Sequence, residues 1–166
     1  MNRLVSEAVI IVAAWFVASA LLAGETALPN EIHVGRSGDF TRIEDAVDAA
    51  SPGDTIVVHP LPNNAHYEQV ALMIRKPDLT IEAAAGQGPI KLSGVGFDYS
   101  GAGSIPRAII QFDPDGDNCT FDGFEMFGAS NESKNGAGVR INQADNVTIR
   151  NCVIYDCEMG IMSNGA

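Results

Sequence analysis

The run Asn146-Val147-Thr148-Ile149-Arg150-Asn151-Cys152-Val153-Ile154 decides how this chain folds. Two short strand-like triplets, Val147-Thr148-Ile149 and Cys152-Val153-Ile154, flank a turn at Arg150-Asn151. The pattern stands 28 residues earlier in Asn118-Cys119-Thr120-Phe121-Asp122-Gly123-Phe124-Glu125-Met126, and more weakly in Asp78-Leu79-Thr80-Ile81-Glu82. Gly138-Val139-Arg140-Ile141 returns 22 residues later as Gly160-Ile161-Met162. Repeats spaced in the twenties, each too short to bury an apolar face alone, predict a solenoid whose coils stack.

The stretch NVTIRNCVIYDCEMGIMSNG, from Asn146, resembles the repeat of right-handed parallel β-helix proteins of the pectate-lyase-like kind. SGDFTRIEDAVDAASPGDTIVVHP, from Ser37, resembles the segment that opens the domain in many of them. The resemblance implies an all-β, right-handed parallel β-helix over residues 31–166, with an N-terminal helix plugging the first coil. A helix over 41–50 fits that role: Thr41 and Glu44 are spaced as a capping box, and Ser51-Pro52-Gly53 ends it. The longer run Pro60 to Glu68 replaces the tight turn usual in such proteins and predicts a loop displayed outside the coil. Residues 97–106 and 129–137 predict two more excursions. No cap follows Gly165-Ala166, which predicts the N-terminal part of a longer coil.

Residues 1–27 predict an export signal: Arg3 precedes an apolar run from Ala8 to Ala23, and small residues follow. Cleavage is open between residues 20 and 27, and the mature chain is expected without a transmembrane segment. Export places the protein in the periplasm, on the cell surface or outside the cell. The chain has 10 Lys and Arg against 21 Asp and Glu, a formal net charge of -11. That excess argues against nucleic acid as a partner. Three cysteines cannot all pair internally; Cys152 and Cys157 could bridge, whereas Cys119 and Cys152 also fit as small inward hydrophobes.

Alternation puts Val147, Ile149, Cys152 and Ile154 inward and Thr148, Val153 and Tyr155 outward. The 28-residue shift puts Cys119, Phe121, Phe124 and Met126 inward and Phe127 outward. Phe127 and Tyr155, one rung of about 4.8 Å apart, are expected either to form a sugar-stacking platform or to lie under the 129–137 excursion. Arg140 and Arg150 are candidate bases for lyase chemistry or candidate carboxylate clamps. Asp113, Asp115 and Asp117 alternate as in a calcium loop, although Asn118 occupies the place of its glycine, so calcium is a candidate cofactor there.

The resemblance implies a polysaccharide partner, with lyase or glycoside hydrolase activity open. The other reading is a non-catalytic structural or adhesive cell-envelope solenoid. No column of adjacent rungs carries paired carboxylates, and the Gln-Asp-Thr-Leu-Tyr-like segment of pectin esterases is missing from the equivalent stretch. His33, His59 and His66 have no metal-ligand spacing.

Overall fold

The structure is a computed structural model that describes residues 28–164. The export-signal reading falls on residues 1–27, outside the described residues. Among the described residues no helix is long and apolar enough to cross a membrane. The strands are β1 (Glu31–Val34), β2 (Thr55–Val58), β3 (Leu72–Ile74), β4 (Thr80–Ala83), β5 (Ile90–Ser93) and β6 (Ala108–Phe112). They continue with β7 (Thr120–Asp122), β8 (Phe124–Phe127), β9 (Ala137–Asn142), β10 (Thr148–Arg150), β11 (Val153–Tyr155) and β12 (Met159–Asn164).

The strands form three sheets, ordered β1-β2-β4-β7-β10, β5-β8-β11 and β3-β6-β9-β12, and their ladders are parallel. The chain visits the three in turn, which makes a right-handed β-helix. The sequence repeats set the register. Thr148 pairs with Thr120, Tyr155 with Phe127, and Met162 with Arg140.

Each sheet presents one side chain in two to the interior. Ile56, Ile81 and Phe121 stack beneath the first sheet, Leu92 and Met126 beneath the second, and Leu72, Ile110 and Val139 beneath the third, all buried. Phe121 and Phe124 stack across the first corner with centroids 4.4 Å apart. Gly123 makes that corner possible: its φ is 89°, and a Cβ there would come within 3.0 Å of the Ala83 methyl. At the corner leading back to the first sheet, Asp78, Asn118 and Asn146 all sit at positive φ (61°, 57° and 55°). Their side chains link rung to rung, Asn146 Nδ2 donating to Asn118 Oδ1 and Asn118 Nδ2 to Asp78 Oδ1, both at 3.1 Å. The three cysteines are free thiols, Cys119 buried and Cys152 and Cys157 half-buried. At the far end Ile149, Cys152 and Ile154 are half-buried and Ile161 is exposed.

The capping helix is present and shorter than expected: α1 spans Ile43–Ala49 and buries Ile43, Ala46 and Val47. The capping box does not form. Arg42 is the extended N-cap residue, with no side-chain cap bond, so Thr41 lies one position too early. Glu44 instead accepts the Ala71 N–H at 3.1 Å, tying α1 to the approach of β3. The C-terminal end of α1 is held from outside by Lys76, whose Nζ donates to the carbonyls of Val47, Asp48 and Ala50 at 3.0, 2.7 and 2.7 Å. The Pro60–Glu68 run is only partly displayed. Tyr67 bridges to Leu92, turns inward and donates its hydroxyl to the His59 carbonyl, so it completes the first rung of the second sheet.

Candidate functional site

The outer face of the third sheet carries the column Met73-Gln111-Arg140-Met162, with Arg75, Asp113 and Asn142 beside it. Asp113 organises this face. Its Oδ2 accepts from Arg75 Nε at 2.9 Å, and its Oδ1 accepts from Gln111 Nε2 at 2.7 Å and Asn142 Nδ2 at 3.2 Å. Burial alone would raise its pKa; the donors from Gln111, Arg75 and Asn142, with the Arg75 charge, outweigh that and leave it below the ordinary carboxylate value. Gln111 Oε1 accepts the Arg107 N–H at 3.0 Å, so the amide orientation is fixed at both ends.

Arg140 differs from its neighbours. Its Nε is buried without a hydrogen-bond partner, and its outer nitrogens reach only Met162 Sδ and Asn142 Oδ1, each at 3.5 Å. Burial lowers its pKa first, the Arg107 charge adds to that, and Asp113 opposes it. The guanidinium faces a concavity of about 470 Å³, walled by Arg75, Arg107 and by Gly101, Gly103 and Ile105 of the 97–106 excursion. A second concavity, of about 580 Å³, shares Met73, Arg75 and Ile105 with it and runs on to α1. Five of the chain's ten Lys and Arg residues (Arg42, Arg75, Lys76, Arg107 and Arg140) line these two spaces. Glu44, Asp48 and Asp113 are the acidic residues among the same linings, so the local balance of charge is positive in a chain that is acidic as a whole, which suits this face to an anion.

The other sequence-predicted residues are spread over different sheets. Arg150 stands on the first, paired with Asp122 at 2.8 Å, while Asn151 Nδ2 donates to the other Asp122 oxygen at 2.7 Å. Phe127 and Tyr155 stand outward on the second, ring centroids 5.3 Å apart and planes within 10°. Tyr155 is 37 % exposed and Phe127 half-buried, and the His66 and Phe127 rings meet edge to face with centroids 5.1 Å apart. Parallel rings in contact are about 3.5 Å apart between planes, so this spacing offsets them like steps. Asp113, Asp115 and Asp117 do not converge. Asp113 is engaged as described, Asp117 accepts the Asp145 N–H at 2.7 Å, and Asp115 is exposed. Among the described residues no three His, Cys, Asp or Glu side chains gather to hold a metal ion.

Arg75, Arg107, Gln111 and Asn142 escaped the sequence reading. Gln111 and Asn142 were within its reach, because Gln111 pairs with Arg140 and Asn142 bonds Asp113 one 29-residue coil away. Arg75 lies 38 residues before Asp113, beyond the spacing that the clean repeats suggest. A second polar cluster also appears only in three dimensions. His33 Nδ1 lies 2.9 Å from His59 Nε2, and His33 Nε2 lies 3.0 Å from Glu31. No protein-family model, no curated protein and no solved structure matches this chain, so function is argued from the chemistry of these surfaces.

Proposed function

We propose that the protein binds an acidic polysaccharide, uronic or sulfated, along the outer face of its third sheet. The observation that carries this is Arg140: a guanidinium whose outer nitrogens have only two long protein contacts, at 3.5 Å, and which lines an open groove with two more arginines. A carboxylate or sulfate would give the outer nitrogens closer acceptors, and two oxygens of one anion match two N–H groups of a guanidinium. Arg107 and Arg75 would meet the neighbouring acidic units. Phe127 and Tyr155, on the second sheet, offer a separate contact for the apolar faces of sugar rings. The export signal read in residues 1–27 would put these surfaces where polysaccharide is met. The Arg140 concavity is lined by one carboxylate, Asp113, already held by three donors, so its residues offer no carboxylate pair for hydrolysis and favour the binding reading.

Calorimetric titration with uronic, sulfated and neutral glycans tests the reading. The acidic glycans should bind and the neutral ones should not, and Arg140→Met should weaken binding by tenfold or more. Equal binding of neutral glycans would move the site to the Phe127–Tyr155 steps. No binding to any glycan would favour a structural solenoid that presents its loops to a protein.

A further inference from the structure

We infer that Gly101 is the positioning residue for Arg107, seating it beside Arg140 as the second unpaired cation of the groove, where it meets a second acidic unit of the ligand. This role rests on the acidic-glycan reading and adds to it the residue that sets how many acidic units are read.

Three arginines line the groove, and they are not equivalent. Arg75 already has a partner in Asp113 at 2.9 Å. Among the described residues no carboxylate forms an ion pair with Arg107 or Arg140. The Arg107 charge reaches Arg140, where it adds to the effect of burial, so the two guanidiniums stand close enough to repel. Two unpaired cations lining one space, in a chain of formal net charge -11, match a ligand with more than one negative charge.

Repulsion alone would turn the Arg107 side chain away towards water. Gly101 leaves it a place against the excursion. The arginine stem lies directly on the Gly101 backbone: a Cβ there would stand 2.5 Å from Arg107 Cγ and 2.8 Å from Cδ, and closer still to Nε. At its own backbone Arg107 is fixed by the bond from its N–H to Gln111 Oε1 at 3.0 Å. A side chain at 101 would therefore displace the guanidinium. Gly103, in the same excursion, provides the contrast. Its φ is 61° against 71° at Gly101, both left-handed, but a Cβ at 103 would meet nothing within 4 Å. Alanine carries a similar backbone penalty at either position, and only at 101 does it move an arginine.

The test is calorimetry on the intact chain with two uronic-acid hexamers, one fully charged and one with every second carboxyl reduced to a neutral alcohol. A second guanidinium–carboxylate contact is worth roughly tenfold in affinity, so the parent should prefer the fully charged hexamer by about that factor. Arg107→Met and Gly101→Ala should each cut the preference to about twofold, the statistical advantage of twice as many carboxylates, and the double variant should do no more than either alone. Gly103→Ala should keep the full preference, which separates displacement of Arg107 from backbone strain. If the hexamers bind through Arg140 but the parent shows no preference, or Gly101→Ala retains it, the role of Gly101 is overturned and acidic-glycan binding stands. A preference lost equally in Gly103→Ala overturns it too, since strain alone then accounts for the effect. If neither hexamer binds, both readings fall.

Discussion

Arg140 holds a cation where its Nε has lost water and gained no acceptor, an arrangement that costs about 1–3 kcal/mol in the free protein. Its column neighbours one rung and two rungs away include Met162 and Met73, so a thioether of similar length fits the same track. Arg140→Met should therefore keep or raise stability, by about 1 kcal/mol and some 2–4 °C in thermal unfolding, while losing the acidic ligand. A clear drop in melting temperature would mean that the guanidinium is serving the fold instead. Asp113 is the opposite case, a carboxylate whose burial is more than offset by its donors. Its folded pKa lies below the unfolded value of about 3.9, so its contribution is fully present above about pH 5 and disappears as pH falls through the folded value. Urea unfolding of the parent and Asp113→Asn should differ most at neutral pH and converge towards pH 2. A gap that widened on acidification would show that the donors do not favour the charged form.

Strands, corners and cap illustrate three kinds of sequence signal. The strands were legible because period-two alternation and stacking give the same assignment twice; Thr120 over Thr148 could be read from the 28-residue shift alone. The corner ladder was half legible. Asn118 and Asn146 open two runs aligned at 28 residues, and Asp78 opens the weaker third, but it stands 40 residues before Asn118 because the 97–106 excursion enlarges the coil between them. The helix starts later than Thr41 and Glu44 suggest by their capping-box spacing, because Ala71, just before β3, offers Glu44 a backbone N–H from another part of the chain. The groove was least legible, since its residues meet across coils of unequal length and only Arg140 and Asp113 stand out in the sequence. The ladder yields a test of its own. Asn118 holds φ at 57° and makes two side-chain bonds, so Asn118→Ala should cost about 2 kcal/mol and Asn118→Gly about 1, glycine tolerating the backbone but not replacing the bonds. Equal losses measured by urea unfolding would mean that backbone strain contributes nothing there.

At the scale of the whole molecule, charge acts over two distances with opposite sign. The chain carries a formal net charge of -11, yet five of its ten basic residues line one outer face. A polyanion approaching from afar meets net repulsion; in contact it meets Arg140, Arg107 and Arg75. Salt separates the two effects because screening removes long-range terms first. At about 0.01 M the Debye length is about 30 Å and the whole acidic surface acts; at about 0.15 M it is about 8 Å; at about 1 M it is about 3 Å. Affinity for a uronic oligosaccharide should therefore rise from the lowest salt, pass through a maximum near physiological ionic strength and fall again as the groove contacts are screened. Arg140→Met should lower the whole curve and flatten its descending limb, since one of the short-range partners is gone. A steady fall from the lowest salt upward would mean that the groove's field dominates at every distance. A flat response would mean that the contacts are not ionic, and would leave the stacked Phe127 and Tyr155 as the sugar-binding surface.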